Sequence, residues 1–119
     1  MDYKDLEAWK KSIEIVKEIY KITMQFPNDE QFGLTSQIKR AAISIPSNIA
    51  EGCARFSNKD SARFIDISIG SAAEIETQLI IAKELDYIDN IELELEHLKQ
   101  LSGLLIGLKK YLSANQNVD

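Results

Sequence analysis

Two pairs of residues have the types and spacing to do chemistry. Asn48 and Glu51 stand three apart in SIPSNIAEG (44–52), and Glu94 and His97 stand three apart in ELEHLK (94–99). A carboxylate can take or give a proton and an amide one helical turn away can hydrogen-bond beside it, but nucleophilic catalysis also needs a nucleophile paired with its base. None accompanies Asn48 and Glu51, and the single histidine is far off at position 97. Glu94-x-x-His97 matches one half of a di-iron bundle motif; that chemistry needs a second such motif and further glutamates, and the chain has 1 His. Cys53 is the sole cysteine and reads as a small packed residue, in a reducing, cytoplasmic compartment. IGSAAE (69–74) lies mid-helix with no strand before it, so it is no phosphate loop. The expectation is therefore a protein that is not an enzyme, with no catalytic residue, cofactor or metal.

The same residues fit a structural role better. Ser44, Asn48, Glu51, Ser71 and Glu74 are expected to form a buried polar network that sets helix register. Gly70 beside Ser71 is expected to let its helix approach closely, with Glu74 meeting Arg40 or Arg55.

The elements that position these groups are helical. The 119 residues suit one domain (1–119, core about 5–112), and only 2 prolines and 5 glycines argue for long helices. The charged start lacks a signal-peptide core, and no apolar run is long enough to span a membrane. Segment one, about Asp5 to Met24, offers Leu6, Trp9, Ile13, Val16 and Tyr20 as a buried stripe. Segment two, about Gln31 to Phe56, turns Leu34, Ile38, Ala42, Ile45, Ile49 and Phe56 inward. Segment three starts at a Ser57 or Asn58 cap and lines the core with Phe64, Ile67, Ser71, Ile75, Leu79 and Ala82. Segment four carries a heptad seam of Ile91, Leu98, Leu105 and Leu112, with Leu101 and Leu108 between, and ends in a frayed tail from 113. Short connections make an all-α, antiparallel up-down-up-down four-helix bundle.

Pro46 interrupts segment two. Either the helix kinks there and continues, which is favoured, or it stops and Asn48 caps a new one with Glu51 at the third position. The third face of segment two carries Lys39, then only small or apolar residues: Ile43, Pro46, Ser47, Ala50 and Ala54. A helix apolar or small on most of its circumference needs a second neighbour, so those five are a candidate oligomer interface.

Net charge is −5, yet residues 31–63 carry 5 Lys/Arg against 2 Asp/Glu. Lys39, Arg40, Arg55, Lys59 and Arg63 are therefore candidate phosphate contacts around the connection of segments two and three. The acidic fourth segment could instead draw a basic protein partner.

SQIKRAAISIPSNIAEGCARFS followed by FIDISIGSAAEIETQL, with the opening YKDLEAWKKSIEIVKEIYKIT and FGLTSQI, resembles the bacterial four-helix-bundle family of 23S rRNA intervening-sequence proteins. The resemblance spans roughly residues 3 to 112. That family is similar to the accessory variability protein of diversity-generating retroelements, a pentameric barrel that binds nucleic acid and its reverse transcriptase. The resemblance implies a homopentamer without catalysis, acting as a scaffold or accessory factor, with RNA or DNA and an unknown protein as possible partners. The nucleic-acid-binding relatives are strongly basic, and this chain departs from them in being acidic.

Overall fold

A computed structural model describes residues 2–115. It contains four helices: α1 (Glu7–Ile22), α2 (Leu34–Cys53), α3 (Asn58–Glu84) and α4 (Glu92–Asn115). Each packs on its neighbour in sequence, and α4 closes the square on α1. The bundle is 51 × 24 × 20 Å. Among the described residues there is no strand. The tail expected to fray from 113 stays helical through Asn115, and its last residues, 116–119, lie outside the described ones.

Local chemistry sets the helix ends. Ser57 Oγ accepts from Asp60 N at 3.1 Å and caps α3, as its position predicts. Asn90 Oδ1 accepts from Glu92 N at 2.9 Å at the start of α4. α3 ends with Asp86 at φ 61°, where Tyr87 N reaches Ala82 O and Asp86 N reaches Lys83 O, each at 2.9 Å. That paired closure satisfies carbonyls the helix leaves open. α2 passes through Pro46 unbroken, so the alternative of a new helix capped by Asn48 is set aside. The lost amide weakens one rung, while burial of Ile45 and Ile49 on either side holds the turn in register.

The core is largely isoleucine and leucine: Ile15, Ile19, Ile38, Ile45, Ile49, Ile65, Ile75, Leu79, Leu101 and Leu105 are all fully buried. The heptad seam of α4 faces inward, with Ile91, Leu98, Leu101 and Leu105 buried and Leu108 and Leu112 packed against the core.

Three inward assignments need correction. α1 buries Ala8, Ser12, Ile15, Ile19 and Ile22, a stripe turned from the expected one; Leu6, Trp9 and Val16 are half-buried at its margin and Tyr20 is exposed. Both stripes have helical spacing, and the buried one includes the small residues Ala8 and Ser12. Phe56 falls beyond the end of α2 and is fully exposed, and Ile67 is on the outer side of α3. Gly70 is exposed, with nothing within 4 Å of the place a Cβ would take, so it mediates no approach.

Candidate functional site

The densest polar arrangement is the seam between α2 and α3, built from small residues on facing stripes. Gly52 stands against α3: a Cβ added there would lie 3.0 Å from Ser61 O and 3.2 Å from Phe64 Cβ. This close approach lets the serines of α3 bond to α2. Ser61 Oγ donates to Gly52 O at 2.7 Å and Ser68 Oγ donates to Ile45 O at 2.9 Å, both buried. Ser71 Oγ meets Ser44 Oγ at 3.0 Å, and Asn48 Nδ2 donates to Ser44 O at 2.8 Å and to Ser44 Oγ at 2.9 Å.

Ser44, Asn48 and Ser71 thus form one bonded group. The two carboxylates expected with them stand apart. Glu51 is exposed and pairs with Arg55, four residues on. Glu74 is exposed on the wall of a shallow cleft, with Arg40 and Gln37 on α2 and Gln78 beside it on α3, and makes no ion pair among the described residues. A carboxylate at the rim keeps its hydration, which burial in the seam would remove. Gln78 is buried, and its Oε1 has no hydrogen-bond partner among the described residues. Sequence reasoning missed Ser61 and Ser68, although Ser61, Ala62, Ser68, Ser71 and Ala72 recur on the side of α3 that must face a neighbour.

The outer face of α2 presents Ile43 (44% exposed), Ser47 and Ala54 to solvent, with Ala50 half-covered. Pro46, expected on this face, is buried and offers no surface. α1 packs on α2, with Lys39 Nζ 4.7 Å over the ring of the exposed Tyr20, and along the stripe of α1 that leads from Tyr20 the side chains of Val16, Ile13 and Trp9 are half-buried.

The five basic candidates do not form one patch. Arg40 lies thirteen residues, roughly 20 Å of helical rise, from the last residue of α2, Cys53, and Arg55 lies just beyond that end. Lys39 sits on Tyr20, and the Arg55 guanidinium is taken by Glu51 and by the Phe64 ring at 4.5 Å. Lys59 and Arg63 are exposed on the first turns of α3, with Asp60 at 3.8 Å from Arg63. At that end a cavity of about 210 Å³ is lined by Cys53, Asn58, Ser61, Ile65, Leu108 and Tyr111. Desolvation there pushes the Cys53 thiol upward from its ordinary value, which disfavours the reactive thiolate. His97 Nδ1 lies 2.5 Å from Glu18 Oε1, a link from α4 to α1. Among the described residues no three His, Cys, Asp or Glu side chains converge as metal ligands, and no helix is long and apolar enough to cross a membrane.

At the opposite end Glu30 clips the two connections together. Its Oε1 accepts from Leu34 N at 3.1 Å, and its Oε2 accepts from Tyr87 OH at 2.8 Å. The Leu34 amide, then the Tyr87 phenol, hold the carboxyl below its ordinary value of 4.5. A depressed carboxylate contributes stability that is present above its unfolded value and lost as pH falls through the folded one. The melting temperature of the parent should therefore exceed that of Glu30→Gln at about pH 6 and converge on it toward about pH 3. A gap that stays constant over that range would show that the charge on Glu30 plays no part.

The fold defines the class of protein: an antiparallel four-helix bundle whose polar groups knit neighbouring helices together and whose outer faces stay partly apolar. The chain belongs to one family within it: residues 4–107 match the 23S rRNA-intervening sequence protein family. A crystal structure of a protein of unknown function from the S23 ribosomal protein family of Bacteroides thetaiotaomicron is similar, with TM-score 0.61 and 24% identity over 92% of this chain and 97% of that one. At that identity the likeness speaks for the fold. No curated protein matches the chain.

Proposed function

We propose that this protein is a non-catalytic, cytoplasmic scaffold that assembles with copies of itself and displays the assembled surface to a partner. The observation that carries this reading is the outer face of α2, where Ile43, Ser47, Ala50 and Ala54 form an uncharged stripe, with the half-buried Trp9, Ile13 and Val16 on α1, which packs on α2. Small residues on a helix face permit close packing of a second helix, and half-buried aromatic and branched residues supply apolar area. The unpartnered Gln78 Oε1 in the neighbouring cleft is a further group that a packed neighbour could serve. Five copies, the number the family resemblance implies, are the proposed assembly. RNA or DNA binding, the alternative, loses support with the scattering of its five basic candidates.

Native mass spectrometry at micromolar concentration should show a multiple of the 13.5 kDa chain. The double variant Ile43→Arg/Ser47→Arg should be folded by circular dichroism and run as a monomer, because two buried unpaired cations cost more than such an interface gains. A monomeric parent, or a double variant that keeps the parent's mass, would overturn this reading.

A further inference from the structure

The bundle has two unlike ends. The connections α1–α2 and α3–α4 meet at one of them, joined by the Tyr87–Glu30 bond and by Phe26 packed 5.8 Å from the Tyr87 ring. Residues 23–33 and 84–92 together hold two and four carboxylates, Asp29, Glu30, Glu84, Asp86, Asp89 and Glu92, and no lysine or arginine. Lys21 and Lys83, just before each connection, are the nearest cations in sequence. All these carboxylates are exposed except Glu30, which is half-buried. The same end exposes bulky apolar side chains: Phe32 at 91%, Met24 at 83%, Leu93 and Leu85. A shallow depression of about 280 Å³ lies between the end of α1 and the start of α4, walled by Ile22, Gln25, Asn90, Leu93 and Glu94, with Lys21 on its rim.

Exposed apolar groups ringed by charge of one sign are the anatomy of a docking surface whose partner carries the other sign. We infer that this end docks a segment of a partner protein that is basic and carries a bulky apolar anchor. Phe32 and Met24 give the anchor its contact, and the ring of carboxylates draws the basic residues and fixes their approach. A second copy could offer its far end, where Phe56 is fully exposed near Arg55, Lys59 and Arg63. Head-to-tail contacts make a ring only where their rotation closes and open filaments otherwise, and in the scaffold reading the copies assemble through the outer face of α2 instead. The acidic end is therefore assigned to a separate partner. This inference rests on the scaffold reading above, in which the assembled bundle shows a surface to something else.

The probe is a fluorescein-labelled peptide of lysine and leucine with one tryptophan. Its controls are the same peptide with glutamate for lysine and a lysine–serine peptide without apolar residues. Anisotropy at low salt should show saturable binding of the first peptide only. The lysine–serine control and the Phe32→Ser/Met24→Ser variant should each bind about tenfold more weakly or worse, since loss of a central anchor removes most of the energy. Added salt should weaken what remains. Native mass of the same samples separates the two readings: an intact oligomer without peptide binding overturns this inference alone, and peptide binding by a monomer overturns the oligomer alone. Equal binding by parent and double variant would also overturn it. So would concentration-dependent filaments of the parent that the double variant abolishes, which would assign the patch to a second copy.

Discussion

Ile45→Ala should lower the unfolding free energy by about 2–5 kcal/mol, the range for truncating a fully buried branched side chain. Ile45 has no solvent exposure and precedes Pro46, and its carbonyl takes the buried Ser68 hydroxyl at 2.9 Å. The Pro46 turn already lacks one backbone bond, so side-chain packing holds α2 straight enough to keep the Ser68 bond. The cavity left by alanine would be lined by branched residues with stiff rotamers, which collapse poorly into it. Urea denaturation at fixed protein concentration measures the effect, because assembly would make the midpoint depend on concentration. A loss under about 1 kcal/mol would mean that the surrounding helices close over the gap.

Gly52→Val should splay α2 from α3 and cost about 1–3 kcal/mol or more. Any Cβ at this position meets Ser61 O at 3.0 Å and Phe64 Cβ at 3.2 Å. The first of these is backbone, and it cannot withdraw easily because Ser61 Oγ is itself tied to Gly52 O at 2.7 Å. Alanine in place of glycine would gain roughly 0.5–1 kcal/mol from helix propensity, so Gly52→Ala measures clash against propensity while valine adds branching. The amide signals of residues 52–65 should shift together with the melting temperature. A Gly52→Val variant as stable as the parent would show that the seam is loose.

Much of the fold was legible because helical periodicity is a local property. Four apolar stripes, a heptad in α4, the Ser57 cap and the scarcity of glycine and proline suffice to state a four-helix bundle with its connections in place. The continuity of α2 through Pro46 was legible for the same reason, since the apolar positions keep their phase on both sides of the proline. Ser44, Asn48 and Ser71 were picked out because polar residues on an inward stripe must find partners among themselves.

What failed in the sequence reading needed distances. Glu51 and Glu74 share the polar stripe, yet a carboxylate can swing to the rim and keep its water, whereas the shorter Ser44, Asn48 and Ser71 cannot leave the seam. Lys39, Arg40, Arg55, Lys59 and Arg63 are near one another in sequence, yet helical rise sets Lys39 and Arg40 well along α2, apart from Arg55, Lys59 and Arg63 at the connection to α3.

The sequence alone determined the fold class, the number and order of helices and the family, because each depends on periodicity and motif order. Only the tertiary structure decided which glycine is a contact, with Gly52 packed and Gly70 free. It also decided which of two apolar stripes of α1 faces the core, and which end of the bundle sets the exposed Phe32 and Met24 among carboxylates. The physical reason is that a helix with a wide apolar arc can turn either part of it inward at similar cost in local energy. The choice between them falls to tertiary packing, of which the close approach of the α3 backbone at Gly52 is the measured case.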